Sequence, residues 1–252
     1  MIRQVAKRAI RGMLEAAGYR VYHRSVLPYG IDFMVDIERL SRAWGIPIRT
    51  FFDVGANVGQ TSASALTSFA DARVFAFEPH PVTFLQLLQR LGQDPRVAAH
   101  NLALSNTGGV APFFEYSSST LNSLIPDAQY AVRRGVTPCA ITVACATLDE
   151  FCNQYDIQTI DVLKIDTEGF ELVVLQGARQ LLSTERVRFV YAEFNDMSPR
   201  LGATGGALIP ISNFLARFGF RFVATYPDYM EIANEMHVGA NALFVLPPPS
   251  AN

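Results

Sequence analysis

Alternating apolar runs and amphipathic stretches from Arg49 onward predict an α/β fold built on a mainly parallel sheet. Three observations carry that expectation. The apolar run Thr50-Phe51-Phe52-Asp53-Val54 passes into a glycine-punctuated turn, Gly55-Ala56-Asn57-Val58-Gly59, and then into a helical pattern. Four apolar runs end beside an acid, Asp53, Glu78, Asp166 and Glu193, and the carboxyl ends of parallel strands are where such sheets collect ligands. A chain of 252 residues, half of them hydrophobic, can also bury a full core as one domain with an attachment.

Charge and cysteine content narrow the function classes. The net charge of −2 argues against a general nucleic-acid binder, which needs a basic excess. The charge is unevenly spread. Residues 1–30 hold six basic side chains (Arg3, Lys7, Arg8, Arg11, Arg20, Arg24) against Glu15, a local +5 that leaves −7 for the remainder. Cys139, Cys145 and Cys152 lack C-x-x-C spacing and are odd in number, so they read as buried free thiols rather than disulfides or zinc ligands. No run reaches the ~18 apolar residues needed to span a bilayer, and the expectation is a soluble, cytoplasmic protein.

In chain order, residues 2–17 place Ile2, Ala6, Ile10, Met13, Leu14 and Ala17 near one face of a basic amphipathic helix. That helix could lie on an anionic membrane surface, but packing of its apolar stripe on the domain is the commoner outcome. Pro28 and Gly30 break the chain, and Phe33, Ile37, Leu40 and Trp44 mark a second helix. Residues 1–45 therefore read as a helical cap or extension of a domain over 46–252. Strands are expected at 50–54, 73–78 and 97–103, with helices at 58–69 and 82–92. Residues 110–116 and 138–146 read as extra strands around a Ser-rich loop at 117–123 that could border an acceptor site. A strand at 160–165, a helix at 169–182, a strand at 187–193, a helix at 207–218 and strands at 219–225 and 241–246 complete the pattern.

Each acid has two readings. Glu78, closing Val74-Phe75-Ala76-Phe77-Glu78, can accept hydrogen bonds from both hydroxyls of a ribose, or cap the next helix. His80 could wall the same pocket or sit on the surface. Strand alternation puts Val162, Lys164 and Asp166 on one face, so Lys164 is expected to pair with Asp166. Asp166 or Thr167 could instead cap a helix, and Glu168 and Glu171 suit its first turn. For Glu171 the helix role is preferred; for Asp166, function.

The glycine turn does not match G-x-G-x-x-G, since its spacing is Gly55-x-Asn57-x-Gly59. It resembles instead the first motif of S-adenosylmethionine-dependent methyltransferases. Together with Phe77-Glu78-Pro79-His80-Pro81, Asn101-Leu102-Ala103-Leu104-Ser105-Asn106, Leu163-Lys164-Ile165-Asp166-Thr167-Glu168-Gly169-Phe170-Glu171 and Gln176-Gly177-Ala178, it is similar in order and spacing to FkbM-type methyltransferases. The likeness spans about residues 30–195 and is weaker in the last strands. It implies a class I methyltransferase (Rossmann-like) fold, a seven-stranded mostly parallel sheet with an antiparallel last strand and helices on both faces. It also implies methyl transfer to an oxygen of a sugar, glycolipid or macrolide-like natural product. By position, Gly55, Asn57 and Gly59 would hold the methionine end, with Asp53 near its ammonium group. Glu78, with Pro79 beside it, would take the ribose, and Leu104, Ser105 and Asn106 would lie beside the adenine. Asn106 stands where an acid often closes that motif.

Transfer to an alcohol needs an aligned oxygen and an acceptor for its proton. Asp166 is the expected base, with Glu168 or Glu193 as substitutes. A Mg²⁺ variant, drawing on Asp166, Glu193 and Asn195 or Asp196, is conceivable but not favoured. The competing class is a non-catalytic cofactor-binding module that acts as partner in a membrane-associated glycan or lipid assembly, docking through residues 2–17. An NAD-dependent oxidoreductase is weakened by the missing third glycine.

Overall fold

The computed structural model describes residues 10–19, 22–23, 26–116, 122–124, 137, 139–194, 207–232 and 236–248. The central strands are β1 (Thr50–Val54), β2 (Arg73–Phe77) and β3 (Val97–His100), and β7 (Ile160–Ile165) and β8 (Val187–Phe194) follow later in the chain. With β9 (Arg221–Ile232) and β10 (Met236–Val245) they form one seven-stranded sheet in the order β3-β2-β1-β7-β8-β10-β9. The pairs within β3-β2-β1-β7-β8 are parallel, whereas β10 runs antiparallel to both β8 and β9.

Helices cover the sheet: α1 (Phe33–Trp44), α2 (Gln60–Ser68), α3 (Pro81–Leu91), α4 (Leu148–Gln154), α5 (Glu171–Gln176), α6 (Arg179–Ser183) and α7 (Leu208–Ala216). Because side chains alternate along a strand, the central strands must be apolar on both sides. Phe52, Val54, Phe75 and Phe77 enter one core cluster with α4 to α7, while Phe51, Val74 and Ala76 enter the other with α1 and α2. The N-terminal helix α1 belongs to that second core through Met34 and Ile37. Its Asp36 is fully buried and accepts hydrogen bonds from the Tyr226 hydroxyl on β9 (2.8 Å) and the Gly30 amide (2.9 Å).

Three departures from the sequence expectation have local causes. The run 97–103 is not one strand, because β3 ends at His100 and Ala103–Leu104 form β4 in a second sheet. Between them the Asn101 side chain donates to the carbonyls of Glu78 and Pro79 (2.9 and 2.8 Å), which turns the chain out of the first sheet. The second sheet has the order β4-β6-β5, with β5 at Gly109–Glu115 and β6 at Cys139–Ala146. The helix expected at 169–182 is two helices. Asp149 accepts the amides of Gln180 and Leu181 (both 2.9 Å), giving α6 an N-terminal cap of its own. The last two strands outrun 219–225 and 241–246, since β9 and β10 pair with each other well beyond the sheet they share with β8.

Two further expectations change. Residues 10–16 are helical, but Ile10 and Met13 are 59% and 74% exposed, so the apolar stripe is not packed on the domain there; residues 2–9 lie outside the described set. The cysteines are free, with Cys145 and Cys152 buried as expected, but Cys139 is exposed at the start of β6. Burial pushes the Cys152 thiol up to about 12. No helix among the described residues is long and apolar enough to cross a membrane.

Candidate active site

The chain leaves β1 toward β2 on one side and reaches β7 on the other, so the sheet order switches between β1 and β7. The connections after β1 and β7 leave the sheet in opposite directions there, and a cleft opens above the carboxyl ends of β1, β2 and β7. Its walls are Val54, Gly55 and Asn57 after β1, Phe77, Glu78 and Pro79 after β2, and Asp166, Thr167, Glu168 and Phe170 after β7. Leu102, Ala103 and Leu104 close one side, and Phe113, Asn122 and Leu124 of the insertion reach across. Phe113 and Leu124 carry no signal in the sequence, whereas Phe170 lies within the quoted motif at 163–171 and Asn122 within the Ser-rich loop at 117–123. Only the Ser-rich composition pointed at the insertion, and residues 117–121 lie outside the described set.

Glu78 is the best-defined group. It is 7% exposed, and its two oxygens accept the amides of Asn57 and His80, each at 2.9 Å. Burial raises its carboxyl to about 7, with those amides pulling the other way. A carboxylate has about four acceptor directions, so two amides leave capacity for a vicinal diol, and the residue fits a ribose. His80 does not line the cleft; it caps α3 by accepting the Thr83 amide and lies 3.5 Å from Glu115 Oε1.

The glycine turn serves packing more than open amides. The amides of Gly55 and Ala56 both donate to the Phe77 carbonyl (3.1 and 2.9 Å), and Asn57 is committed to Glu78. Gly55 is required at φ 74° because a Cβ there would lie 1.8 Å from the Asp166 carbonyl oxygen. Gly59 meets α3 instead: a Cβ would stand 2.7 Å from Leu87 and Leu91. Of the three turn positions, Gly55 and Asn57 border the cleft and Gly59 does not.

Asp53, expected near the cofactor, does not border the cleft. Its side chain is fully buried below the turn, accepting the Ser62 hydroxyl at 2.6 Å. The Lys164 ammonium stands 3.0 Å from Asp53 Oδ1 and 3.4 Å from Asp166 Oδ2, and donates to the Gly55 carbonyl at 2.9 Å. The expected Lys164–Asp166 pair is present, but the tighter partner is Asp53, set opposite Lys164 by the β1–β7 register. Burial alone would lower the lysine's proton affinity; the two carboxylates reverse this and hold it charged.

The segment after β7 is organised by Glu171. Fully buried, it accepts the Thr167 amide (2.8 Å), the Thr167 hydroxyl (3.0 Å) and the Gly169 amide (3.2 Å), and so shapes the loop as well as starting α5. Ser123 of the insertion donates to the carbonyls of Thr167 and Glu168 (3.1 and 3.0 Å). Asp166, Glu168 and Glu193 come together, with a carboxylate oxygen of each within 4.8 Å of the others, a donor set a divalent cation could use. Burial, then Glu168, Asp166 and Glu171, raise the Glu193 carboxyl well above the usual range. Asn195 and Asp196 lie outside the described residues.

On the far wall Leu104 borders the cleft, but Ser105 and Asn106 are turned to other work. Ser105 is buried against Gly177, where a Cβ would stand 2.0 Å from the Ser105 carbonyl oxygen. Asn106 reaches Gln176 at 3.4 Å. The Gln176-Gly177-Ala178 motif thus locks the third motif against α5.

A seven-stranded sheet with only β10 reversed, carrying its cleft and diol-competent acid at the β1–β7 switch, defines a class I methyltransferase, an enzyme that depends on S-adenosylmethionine. The chain belongs to the FkbM methyltransferase family, whose methyltransferase FkbM domain it matches over residues 53–222. Three relatives illustrate the range. It is 25% identical over 197 residues to 2-O-methyltransferase NoeI of Sinorhizobium fredii, covering 73% of this chain and 77% of that one. To 31-O-demethyl-FK506 methyltransferase FkbM of Streptomyces tacrolimicus it is 30% identical over 211 residues, covering 74% and 77%. The hexuronic acid methyltransferase AglP of Haloferax volcanii is 32% identical over 145 residues, covering 57% of this chain and 55% of AglP.

Proposed function

We propose that this enzyme is an O-methyltransferase acting on a hydroxyl of a sugar, glycolipid or natural product. The observation that carries the reading is Asp166: its side chain is 38% exposed, it borders the cleft, and one oxygen is held by a buried lysine. The printed activities of NoeI, AglP and FkbM support an acceptor of that kind. Residues 46–252 are read as the catalytic domain and 1–45 as its helical extension, with α1 packed on the sheet. With Ile10 and Met13 exposed beside basic residues, the N-terminal segment could reach an acidic lipid surface.

S-adenosylmethionine supplies an electrophilic methyl group on a sulfonium sulfur. Glu78 is assigned to its ribose, Gly55 and Asn57 to the methionine end, and Pro79 and Leu104 to the adenine side. Gly59, Asp53, Ser105 and Asn106 support those walls from behind. The chain's remaining task is to align an acceptor oxygen, exclude water and remove one proton. Asp166 takes the hydroxyl proton as the oxygen–methyl bond forms and the sulfur–methyl bond breaks. Phe113, Leu124 and Phe170 add apolar surface to the cleft wall, which favours exclusion of water from that step.

The test is incubation of the protein and methyl-labelled S-adenosylmethionine with fractionated extract of its source cells. Label in a carbohydrate or glycolipid fraction is expected, and Asp166→Asn should cut its rate about a hundredfold. Label entering only protein or nucleic acid would overturn the proposal.

A further inference from the structure

The Lys164 side chain touches both the glycine turn and the Asp166 wall of the site. Its strand, β7, lies at the centre of the sheet, and its side chain is only 4% exposed. An ammonium has three protons, and besides the Val54 carbonyl at 3.5 Å three nearer acceptors from different parts of the site surround this one. They are Asp53 Oδ1 from inside β1 (3.0 Å), the Gly55 carbonyl from the glycine turn (2.9 Å) and Asp166 Oδ2 from the cleft wall (3.4 Å). Asp53 is fixed in turn by the Ser62 hydroxyl of α2 at 2.6 Å.

Stability alone does not account for this arrangement. Buried ion pairs are commonly neutral or worse for stability beside well-packed apolar residues of the same volume, so a leucine or methionine at 164 facing an apolar residue at 53 would hold the sheet as well. What an apolar pair would not supply is a fixed point shared by the turn and the carboxylate. The backbones of the turn and of Asp166 already pack closely, since a Cβ added at Gly55 would lie 1.8 Å from the Asp166 carbonyl oxygen, and Lys164 adds the side chain of Asp166 to that contact.

We propose that Lys164 is a positioning residue for the transfer, holding the cofactor turn and the Asp166 carboxylate in one frame through the Gly55 carbonyl and the Asp53 pair. This rests on the reading of Asp166 as the acceptor-facing base. Lys164 itself does not line the cleft; it sets where the base stands relative to the methyl donor. A shift of a few tenths of an ångström between the two would lower turnover while leaving acceptor affinity nearly unchanged.

The experiment pairs Lys164→Met with Asp53→Asn, so that no buried carboxylate is left without its cation and folding is retained. The readouts are S-adenosylhomocysteine affinity by calorimetry, and turnover and KM in the labelled-transfer assay. The double variant should bind S-adenosylhomocysteine about tenfold more weakly, since the turn loses a charge-assisted hydrogen bond. Its turnover should fall about a hundredfold with acceptor KM within about threefold, and adding Asp166→Asn should cost less than about threefold more. Unchanged affinity for S-adenosylhomocysteine would overturn the proposal. So would an Asp166→Asn penalty as large in the double variant as in the wild type, because Lys164 would then not act through Asp166. If Asp166→Asn is harmless in the wild type, the base assignment fails by itself, and the affinity measurement still decides whether Lys164 anchors the turn.

Discussion

Replacing Glu78 by glutamine tests the cofactor side of the site most directly. The carboxylate accepts the Asn57 and His80 amides at 2.9 Å each, with capacity left for two ligand hydroxyls. An amide side chain keeps only one oxygen, and its NH₂ group would face an N–H donor. Hydrogen bonds to a charged acceptor contribute about 1.5–3 kcal/mol each, so a net loss of about 2–3 kcal/mol in ligand binding is expected, about 30- to 150-fold in Kd. Titration calorimetry with S-adenosylhomocysteine measures it. The pH dependence adds an independent sign. Ribose hydroxyls favour the ionised carboxylate, so wild-type affinity should strengthen as pH rises toward about 7, the value to which burial lifts Glu78. Stability runs the opposite way. A carboxyl raised from 4.5 to about 7 in the folded protein stabilises it fully below pH 4.5, and that contribution is lost as pH rises through 7. Both slopes should vanish in Glu78→Gln. An unchanged Kd, or a variant that keeps the wild-type pH slopes, would refute the assignment of Glu78 to the ribose.

Gly177→Ala should destabilise the protein by about 1–3 kcal/mol in urea unfolding and weaken S-adenosylhomocysteine binding, because the new Cβ meets the Ser105 carbonyl at 2.0 Å directly behind the Leu104 wall. Tyr226→Phe removes a 2.8 Å hydrogen bond to the fully buried Asp36 and should cost about 1.5–3 kcal/mol, read as a lowered Tm with ligand affinity retained. Chelator treatment should leave both S-adenosylhomocysteine binding and transfer intact; loss of transfer restored by Mg²⁺ would instead assign the Asp166, Glu168 and Glu193 cluster to a required cation.

Much of the site was legible in the sequence because a parallel sheet sends every strand end to the same edge. Once Phe77-Glu78 and Ile165-Asp166 were recognised as strand ends, their convergence with the turn after Val54 followed, and the structure brings them to one cleft. The acids were harder to tell apart. Asp53 and Asp166 both lie at the carboxyl ends of adjacent strands, yet one is fully buried and the other borders the cleft, since Asp53 is still inside β1, opposite Lys164, and Asp166 already belongs to the loop after β7. Glu171 was expected to serve its helix; its hydrogen bonds to Thr167 and Gly169 show that it also shapes the loop carrying Asp166 and Glu168. Contacts made across long separations in the chain left no local pattern. Ser123 holds Glu168 from 45 residues away, and Asp149 splits the helix after Gln176 by capping Gln180 from 31 residues away.

By itself the sequence determined the strand–turn–helix order, the family and the acids at the strand ends, because periodicity, glycine spacing and strand alternation are local properties of the chain. Only the tertiary structure decided which of those acids faces the cleft, that Lys164 is shared by Asp53 and Asp166, and that Gly177 holds Ser105 in place. These depend on register and on backbone approaches between segments far apart in the chain, where van der Waals contact and burial are set by the packed fold.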